Sequence, residues 1–427
     1  MSNIIDLHIQ EEILPLFDFT LNDFSKETLI GILKKLLPST EEILLRQEIF
    51  KGFIANINIF RDYSYSRVDF IEVYSFLGNY FNLTTLGNGL KVKLVLSEKA
   101  RHQTRGKYIQ FVLLLHKLQT LYLKRININP FPENYKIEIN SLNNFLTCFN
   151  LTYYEELIRE QRFSIKHIVE LHKIISKKAK SAEIETFWKR YFIFEAYLSI
   201  SKGIAKHRFT FPIFSETVFL INDLYHPLIS QGVTNSFTTT NNVLLLTGPN
   251  MSGKSTFLKA VSLCVYLGHI GFAVPALKAE MPFFNYISIS INHNDNLLSG
   301  YSHFMTEVMN LKKVVMEAIK DKKCFAVFDE LFRGTNIEDA LEISTTTIKG
   351  LTKFNKSFFF ISTHMQQLNQ IEEVKKEIIS TYYIDCKLNN NSPVFTYQLK
   401  KGWSDLKVGS ILFENEGLNE MLNLKKQ

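Results

Sequence analysis

"LLLTGPNMSGKSTFLKAV", Leu244 to Val261, is the stretch that decides the fold class. Its leucines form an apolar run of strand type. The glycines then break the chain into a turn, and the residues from Ser255 onward open an amphipathic helix. Within it "GPNMSGKS", Gly248 to Ser255, matches GxxxxGK[ST] in full and sits between a strand and a helix, the setting this motif requires. Glycines are needed there so that backbone N–H groups can turn onto phosphate oxygens, and the helix dipole adds positive potential at the same point. Lys254 is expected to reach the terminal phosphates of a nucleotide and Ser255 to ligate Mg²⁺.

Two further strand ends carry polar groups of the right kind. In "CFAVFDELFRGTN" an apolar run delivers Asp329 and Glu330 to the carboxyl end of a buried strand, where ligands bind in such sheets. Asp329 is expected to hold the Mg²⁺ shell and Glu330 to polarise the attacking water. In "SFFFISTHMQQL" another run ends in Ser362, Thr363 and His364, and His364 is a candidate for sensing the γ-phosphate or positioning the water.

The remainder of the chain divides by texture. Up to about residue 205 the pattern is helical, as in "LKVKLVLSEKARHQTRGKYIQFVLLLHKLQTLYL" (90–123). "NPFPENY" (129–135) interrupts it, and "SAEIETFWKRYFIFEAYLSISKGIAKH" (181–207) forms a further long helix. From about Phe209 short β-rich runs alternate with helices: "TVFLIN", "NVLLLTG", "CFAVFDE", "SFFFIST", "TYYIDCKL" and "VFTYQL". Continuous apolar runs of that length suit strands buried on both faces. The sequence therefore predicts an all-α domain over residues 1–205 followed by an α/β nucleotide-binding domain over 206–427.

Composition narrows the class of protein. With 427 residues, 46% hydrophobic and 21% charged, the chain can bury a large core, and its 36 Phe are scattered at helix and strand periods, as core residues are. A net charge of +7 permits contact with nucleic acid without requiring it. Cys148, Cys264, Cys324 and Cys386 lie far apart, with no CxxC pair and no His at ligand spacing, so neither a disulfide framework nor a zinc site is indicated. The amino terminus lacks the basic start of a signal peptide, and no apolar run approaches the roughly 18 to 20 residues of a membrane span. The expectation is a cytoplasmic protein without a membrane partner.

The order and spacing of these motifs resemble the MutS family of DNA mismatch-repair ATPases, relatives of the ABC-type ATPases. "GPNMSGKST", through Thr256, resembles that family's phosphate loop: Gly248, Pro249, Asn250, Met251, Ser252, Gly253, Lys254, Ser255 and Thr256 would hold the nucleotide. "GHIGFAVPA" (268–276) resembles the stretch after the loop helix, "NDNLLSGYSHFMTEV" (294–308) the signature region, "DELFRGTNIEDA" (329–340) the acidic motif with its following loop, and "STHMQQL" (362–368) the His switch. The resemblance implies an ABC-type phosphate-loop ATPase domain behind an all-α lever or core domain, ATP and Mg²⁺ as nucleotide and metal, and a homodimer. In that dimer Ser302 reaches the γ-phosphate held by the other subunit, and Asp339 lies in the loop crossing the interface. Phe237, downstream of "HPL" (226–228), resembles the ring that stacks on adenine, and a core aromatic is the other reading of it. The sequence departs from the family pattern at His303, usually Thr, and at Phe332 and Ala340, both usually Gly. These departures bear on rate and interface geometry.

The resemblance is strong over about 205–420. Before that, "LLPSTEEILLRQEIFKGF" and "FWKRYFIFEAYLSISKG" look like parts of the helical core, and nothing matches the family's mismatch-reading or connector domains, so a short form is expected. "FIE", Phe70 to Glu72, falls inside a helical pattern and is read as coincidence. Arg101, Arg105 and Lys107, with Lys99, Lys124 and Arg125, are candidates for a phosphate backbone, or else form a solvated face. The reading is an ATP-hydrolysing dimer acting on double-stranded DNA in mismatch repair or a related role, with other repair proteins as further partners. The alternatives are a MutS-like ATPase sensing branched nucleic acid or ribosomes, and a nucleotide-gated assembly subunit that binds no nucleic acid.

Overall fold

The computed structural model describes residues 4–78, 89–291, 303–332, 335–389, 392–404, 406 and 408–423. Between residues 4 and 205 the described chain is helical and holds no strand. The helices there are α1 (Asp23–Lys34), α2 (Thr40–Ala55), α3 (Arg67–Gly78), α4 (Gly89–Leu96), α5 (Glu98–Lys117), α6 (Glu133–Thr147), α7 (Leu151–Arg159), α8 (Ile165–Lys180) and α9 (Glu183–His207). Their ends follow local chemistry. Asn22 caps α1 by accepting from Ser25 N–H at 2.9 Å, and Ser97 caps α5 by accepting from Ala100 N–H at 3.2 Å. Ser97 thereby splits into two helices a stretch whose apolar period reads as one. The "FIE" residues lie in α3, with Phe70 fully buried.

The chain forms two compact units. One comprises Leu16–Lys35 and Leu45–Lys206, the other Met1–Pro15, Leu36–Leu44 and His207–Gln427. A single boundary at 205/206 therefore needs correcting, because two amino-terminal segments pack with the α/β unit. Local hydrogen bonds account for this: the Asp6 carboxylate accepts from Ile291 N–H at 2.7 Å, and Leu37 N–H donates to the His269 carbonyl at 3.0 Å. Neither contact is visible as a sequence pattern.

The helical unit has an aromatic core in which Phe53, Phe60, Phe70, Phe111, Phe149, Tyr191 and Phe194 are almost wholly buried. Within it lies a polar knot. Glu195 of α9, 1% exposed, accepts from Leu21 N–H at 2.7 Å, from the Tyr65 hydroxyl at 2.7 Å and from the Tyr63 hydroxyl at 3.2 Å, while the Tyr63 and Tyr191 hydroxyls share a bond of 2.6 Å. Ser199, one turn further, accepts from Phe19 N–H and donates to the Phe17 carbonyl, both at 2.6 Å. The chain from Phe17 to Leu21 is thus stitched to α9 by satisfied buried bonds.

The second unit is built on two sheets. Its strands are β1 (Ile213–Phe214), β2 (Phe219–Leu224), β3 (Asn235–Thr239), β4 (Val243–Thr247), β5 (Lys278–Met281), β6 (Tyr286–Ser290), β7 (Cys324–Asp329), β8 (Phe358–Ser362), β9 (Ser380–Asn389) and β10 (Ser392–Lys401). The smaller sheet has the order β1-β5-β2-β3 and the larger β10-β9-β4-β8-β7-β6. In the larger sheet every pairing is parallel except β9 with β10. β4, β7 and β8 are buried along their whole length, as their apolar runs predict. The α-helices of six residues or more after β1 are α10 (Lys254–His269), α11 (His303–Ile319), α12 (Ile337–Leu351), α13 (Val408–Asn415) and α14 (Leu418–Asn423). No helix among the described residues is long and apolar enough to cross a membrane.

Burial raises the Glu195 carboxyl above the usual range, and the hydrogen bonds from Leu21 and the tyrosines only partly offset this. The folded chain therefore keeps a proton that the unfolded chain releases, so this group's contribution falls as pH rises above the ordinary glutamate range of about 4.3. Glu195→Ala, which orphans several buried donors, should lower stability by about 3 kcal/mol. Glu195→Gln should remove the pH slope. Urea denaturation followed through Trp188, buried in the same core, reads both effects.

Candidate nucleotide site

The site is assembled by register. Leu246 of β4 pairs with Ser362 of β8, and Ser362 pairs on its other side with Asp329 of β7. The carboxyl ends of three adjacent parallel strands therefore arrive level, and everything that follows them projects to the same edge.

After Thr247 the chain makes the glycine turn. Gly248 takes φ 139°, and a Cβ there would stand 3.1 Å from the Ile384 carbonyl oxygen, so both conformation and space demand glycine. Gly253 takes φ 100° and caps α10. Between them Met251 adopts φ 66° and is 76% exposed at the tip of the loop. Lys254, the first residue of α10, is buried, and its Nζ donates to the carbonyls of Gly248 at 2.9 Å and Pro249 at 3.2 Å. That ammonium also lies 3.9 Å from Glu330 Oε1. Ser255 and Thr256 are exposed in the first turn of the helix, while Ser252 is fully buried and its hydroxyl has no hydrogen-bond partner among the described residues.

Opposite the loop stand the two carboxylates. The buried Ser362 hydroxyl donates to Asp329 Oδ1 and accepts from Glu330 N–H, the latter at 2.9 Å. Glu330 itself sits in the left-handed region at φ 57°, which turns its side chain away from the line of β7 and toward Lys254. His364 follows β8, is half exposed, and brings Nδ1 to 3.9 Å from Glu330 Oε1. A cavity of about 760 Å³ lies along the loop, lined by Asn250 through Phe257, Glu330, Tyr225, His226, Asn235, Ile384 and Tyr397 among others. It lies within the range of roughly 300–1,000 Å³ of small-molecule sites. The oxygen donors Ser255 and Asp329 suit Mg²⁺, which takes one or two protein ligands and completes its shell with substrate phosphates and water. No cluster of three or more metal-ligating side chains exists among the described residues.

Other expected residues fall elsewhere. Phe237 does not line the cavity: it is 4% exposed on β3, among the rings of Phe219, Phe257, Phe360 and Tyr382, where the alternative reading as a core aromatic places it. An interior ring packed against four others has no place to stack a base, so its position does not support that role. Ser302 lies outside the described residues, as does the His303 side chain. Asp339 is exposed in the first turn of α12, where its N–H donates to Asn336 Oδ1 at 2.8 Å and its carboxylate accepts from Asn336 Nδ2 at 2.6 Å. Phe332 takes φ 62°, a conformation easy for glycine, and its N–H donates to the Glu307 carboxylate at 2.7 Å. Ala340 is buried in α12. Arg101, Arg105 and Lys107 all lie on α5, where Arg101 stands 3.9 Å from Glu98, Arg105 Nε donates to the Phe163 carbonyl at 3.2 Å, and Lys107 is exposed.

One lining residue carries no sequence signal. Tyr397 sits at φ 57° in an irregular stretch of β10 between Phe395 and Leu399. Asn235 replaces the lost ladder bonds: its Nδ2 donates to the Tyr397 carbonyl at 3.1 Å and its Oδ1 accepts from Leu399 N–H at 2.7 Å. The Tyr397 ring is thereby held near Gly253, 3.3 Å from where a Cβ would be, and remains 48% exposed beside the cavity.

Comparison with known proteins points to one family. Residues 244–420 match the family model MutS domain V. The DNA mismatch repair protein MutS of Bacillus velezensis is 30% identical over 223 residues, 50% of this chain and 25% of that protein. That of Finegoldia magna is 32% identical over 206 residues, 46% of this chain and 24% of that protein. That of Ehrlichia ruminantium is 28% identical over 301 residues, 64% of this chain and 37% of that protein. The chain thus spans about a quarter to just over a third of the length of these curated relatives.

Proposed function

We propose that this chain, which belongs to the MutS family over its C-terminal part, binds ATP with Mg²⁺ in the cavity along the 248–256 loop, hydrolyses it, and couples that cycle to double-stranded DNA in mismatch repair or a related repair role. In this reading the α/β unit is an ABC-type phosphate-loop ATPase domain. The observation that carries it is the convergence of three strand ends: one buried lysine, two carboxylates and a histidine meet beside a glycine turn that opens α10.

Each group has a task consistent with its place. The N–H groups of the loop and the dipole of α10 favour the phosphates, and Lys254 adds a charge at the β- and γ-phosphates. Mg²⁺, when bound, neutralises charge on those phosphates, and Ser255 and Asp329 would hold it. Glu330 takes a proton from a water whose oxygen attacks the γ-phosphorus. The bond from that phosphorus to the bridging oxygen breaks, and ADP and phosphate leave. His364, near the same Glu330 oxygen as Lys254, positions the water or contacts the γ-phosphate. Tyr397 offers an exposed aromatic face to the base, in place of the buried Phe237.

The protein acts as a homodimer in which Ser302 and Asp339 of a second copy complete the site. The outward exposure of Asp339, fixed by its Asn336 cap, supports this. Other repair proteins are further partners. Lys107 and Arg101 on α5 would meet the duplex as charges on its backbone, whereas Arg105 is partly committed to the Phe163 carbonyl.

Lys254→Ala should lose ATP binding. Glu330→Gln should bind ATP and hydrolyse it at least about 100-fold more slowly, since general-base removal costs on that order. Nucleotide titration and phosphate release distinguish the two defects, and a Glu330→Gln protein turning over at the parent rate contradicts the assignment.

Contacts from α5 carry charge and no base readout, so duplex affinity should fall steeply with salt, and Arg101→Glu with Lys107→Glu should weaken all duplexes alike. Fluorescence anisotropy over salt and duplex type tests this. Salt-independent binding, or loss confined to mismatched duplexes, contradicts it.

A further inference from the structure

A second cavity, of about 380 Å³, also borders the 248–251 loop, and its lining includes Thr247, Gly248, Glu330, His364, Gln366 and Trp403. Glu330 borders both cavities. His364 is 54% exposed, and its Nδ1 stands 3.9 Å from Glu330 Oε1, beyond hydrogen-bond length. A hydrogen-bonded chain begins two residues away, at Gln366.

Gln366 opens the short turn Gln366–Gln370 that follows β8 and His364. Its Oε1 accepts from Trp403 Nε1 at 2.7 Å, and its Nε2 donates to the Ser404 carbonyl at 2.8 Å. Ser404 N–H donates in turn to Thr247 Oγ1 at 3.2 Å, and Thr247 is the residue immediately before Gly248. Both functional groups of one amide are thus used to fasten the His364 turn to the segment at 403–404, which is itself fastened to the root of the phosphate loop. The Trp403 ring packs partly buried against the apolar core beneath β7 and β8, which anchors the far end. An amide that makes two bonds of good geometry fixes both the position and the rotation of the turn that carries it.

We infer that Gln366 and Trp403 are positioning residues for hydrolysis: the amide–indole pair sets His364 against Glu330 on the water-attack side of the loop. This rests on the reading of the site as an ATPase. The pair lines the second cavity, whose walls include neither a residue of α10 nor Tyr397, so it acts on the step in which water loses its proton to Glu330 and the bond to ADP breaks. It leaves nucleotide affinity alone.

The test uses the intact chain as parent, Trp403→Phe, Gln366→Leu and the double variant. ATP affinity is measured by titration and hydrolysis by single-turnover phosphate release. Each single variant should hydrolyse about 10-fold or more slowly with affinity within about twofold, a loss of transition-state stabilisation only, and the double variant should be no slower than the slower single, because the two residues act as one unit. Gln366→Leu lies on a partly exposed turn and tests the pair should Trp403→Phe fold poorly. The sequence contains two tryptophans, so in a Trp188→Phe background emission comes from Trp403 alone and should shift when Gln366→Leu removes its partner. Variants that hydrolyse at the parent rate, additive losses in the double variant, or a defect wholly explained by weaker ATP binding each overturn the inference while leaving the ATPase reading intact. A parent chain that binds no ATP overturns the reading and the inference together.

Discussion

One hydroxyl ties the carboxyl edge of the larger sheet together. Ser362 is fully buried at the end of β8, donates to the Asp329 carboxylate and accepts from the N–H of Glu330. It can do both only because β8 lies between β4 and β7 with Ser362 level with Leu246 on one side and Asp329 on the other. A slip of one residue would turn Ser362 to the opposite face of the sheet and leave the buried Asp329 without this partner. The register that fills the core with apolar side chains is therefore the same register that brings the carboxylates to the glycine turn.

That edge carries local strain. Met251, Glu330 and Phe332 all adopt positive φ without being glycine, at a cost of order 1–2 kcal/mol each. Two of the three are held by identifiable partners: Glu330 by Ser362, and Phe332 by Glu307 and by packing of its ring 5.9 Å from Phe304. The bulky Phe332, where the resemblance to the MutS family implies glycine, thus keeps a glycine-like backbone. The strain has a visible consequence at Glu330, whose side chain leaves the path of β7 and meets Lys254 and His364.

What could be read from sequence followed from physical locality. The loop at 248–255 and the strand ends at 329 and 362 were legible because strand, turn and phosphate chemistry all act within a few residues. The runs "NVLLLTG", "CFAVFDE" and "SFFFIST" became buried parallel strands for the same reason. β1, β3, β5 and β6 carry no clear sequence signal, being short or partly polar, as in "NSFTT" and "KAEM". Phe237 misleads because a ring at a plausible distance along the chain says nothing of burial, and here five-ring packing decides it. Tyr397, Gln366 and Trp403 were invisible, since each depends on an amide reaching across more than thirty residues: Asn235 to Tyr397, Gln366 to Trp403. The same holds for Asp6 and Leu37, whose bonds to Ile291 and His269 bring the amino-terminal segments into the α/β unit.

His269 illustrates how firmly the loop helix is seated. At the end of α10 it donates from Nδ1 to the Val265 carbonyl at 2.7 Å and accepts at Nε2 from Phe284 N–H at 2.8 Å, and burial pushes its pKa down to about 4. A neutral, fully bonded histidine at one end of the helix and a glycine turn at the other leave α10 as a fixed dipole aimed at the site. The most direct measurement of the account is a crystal structure of the intact chain with Mg²⁺ and a non-hydrolysable ATP analogue. The account predicts the phosphates over the first turn of α10, Lys254 turned from its loop carbonyls onto them, the metal between Ser255 and Asp329, and Glu330 facing the γ-phosphate. A nucleotide bound away from the 248–256 loop, or one whose γ-phosphate lies out of reach of Glu330, would contradict it.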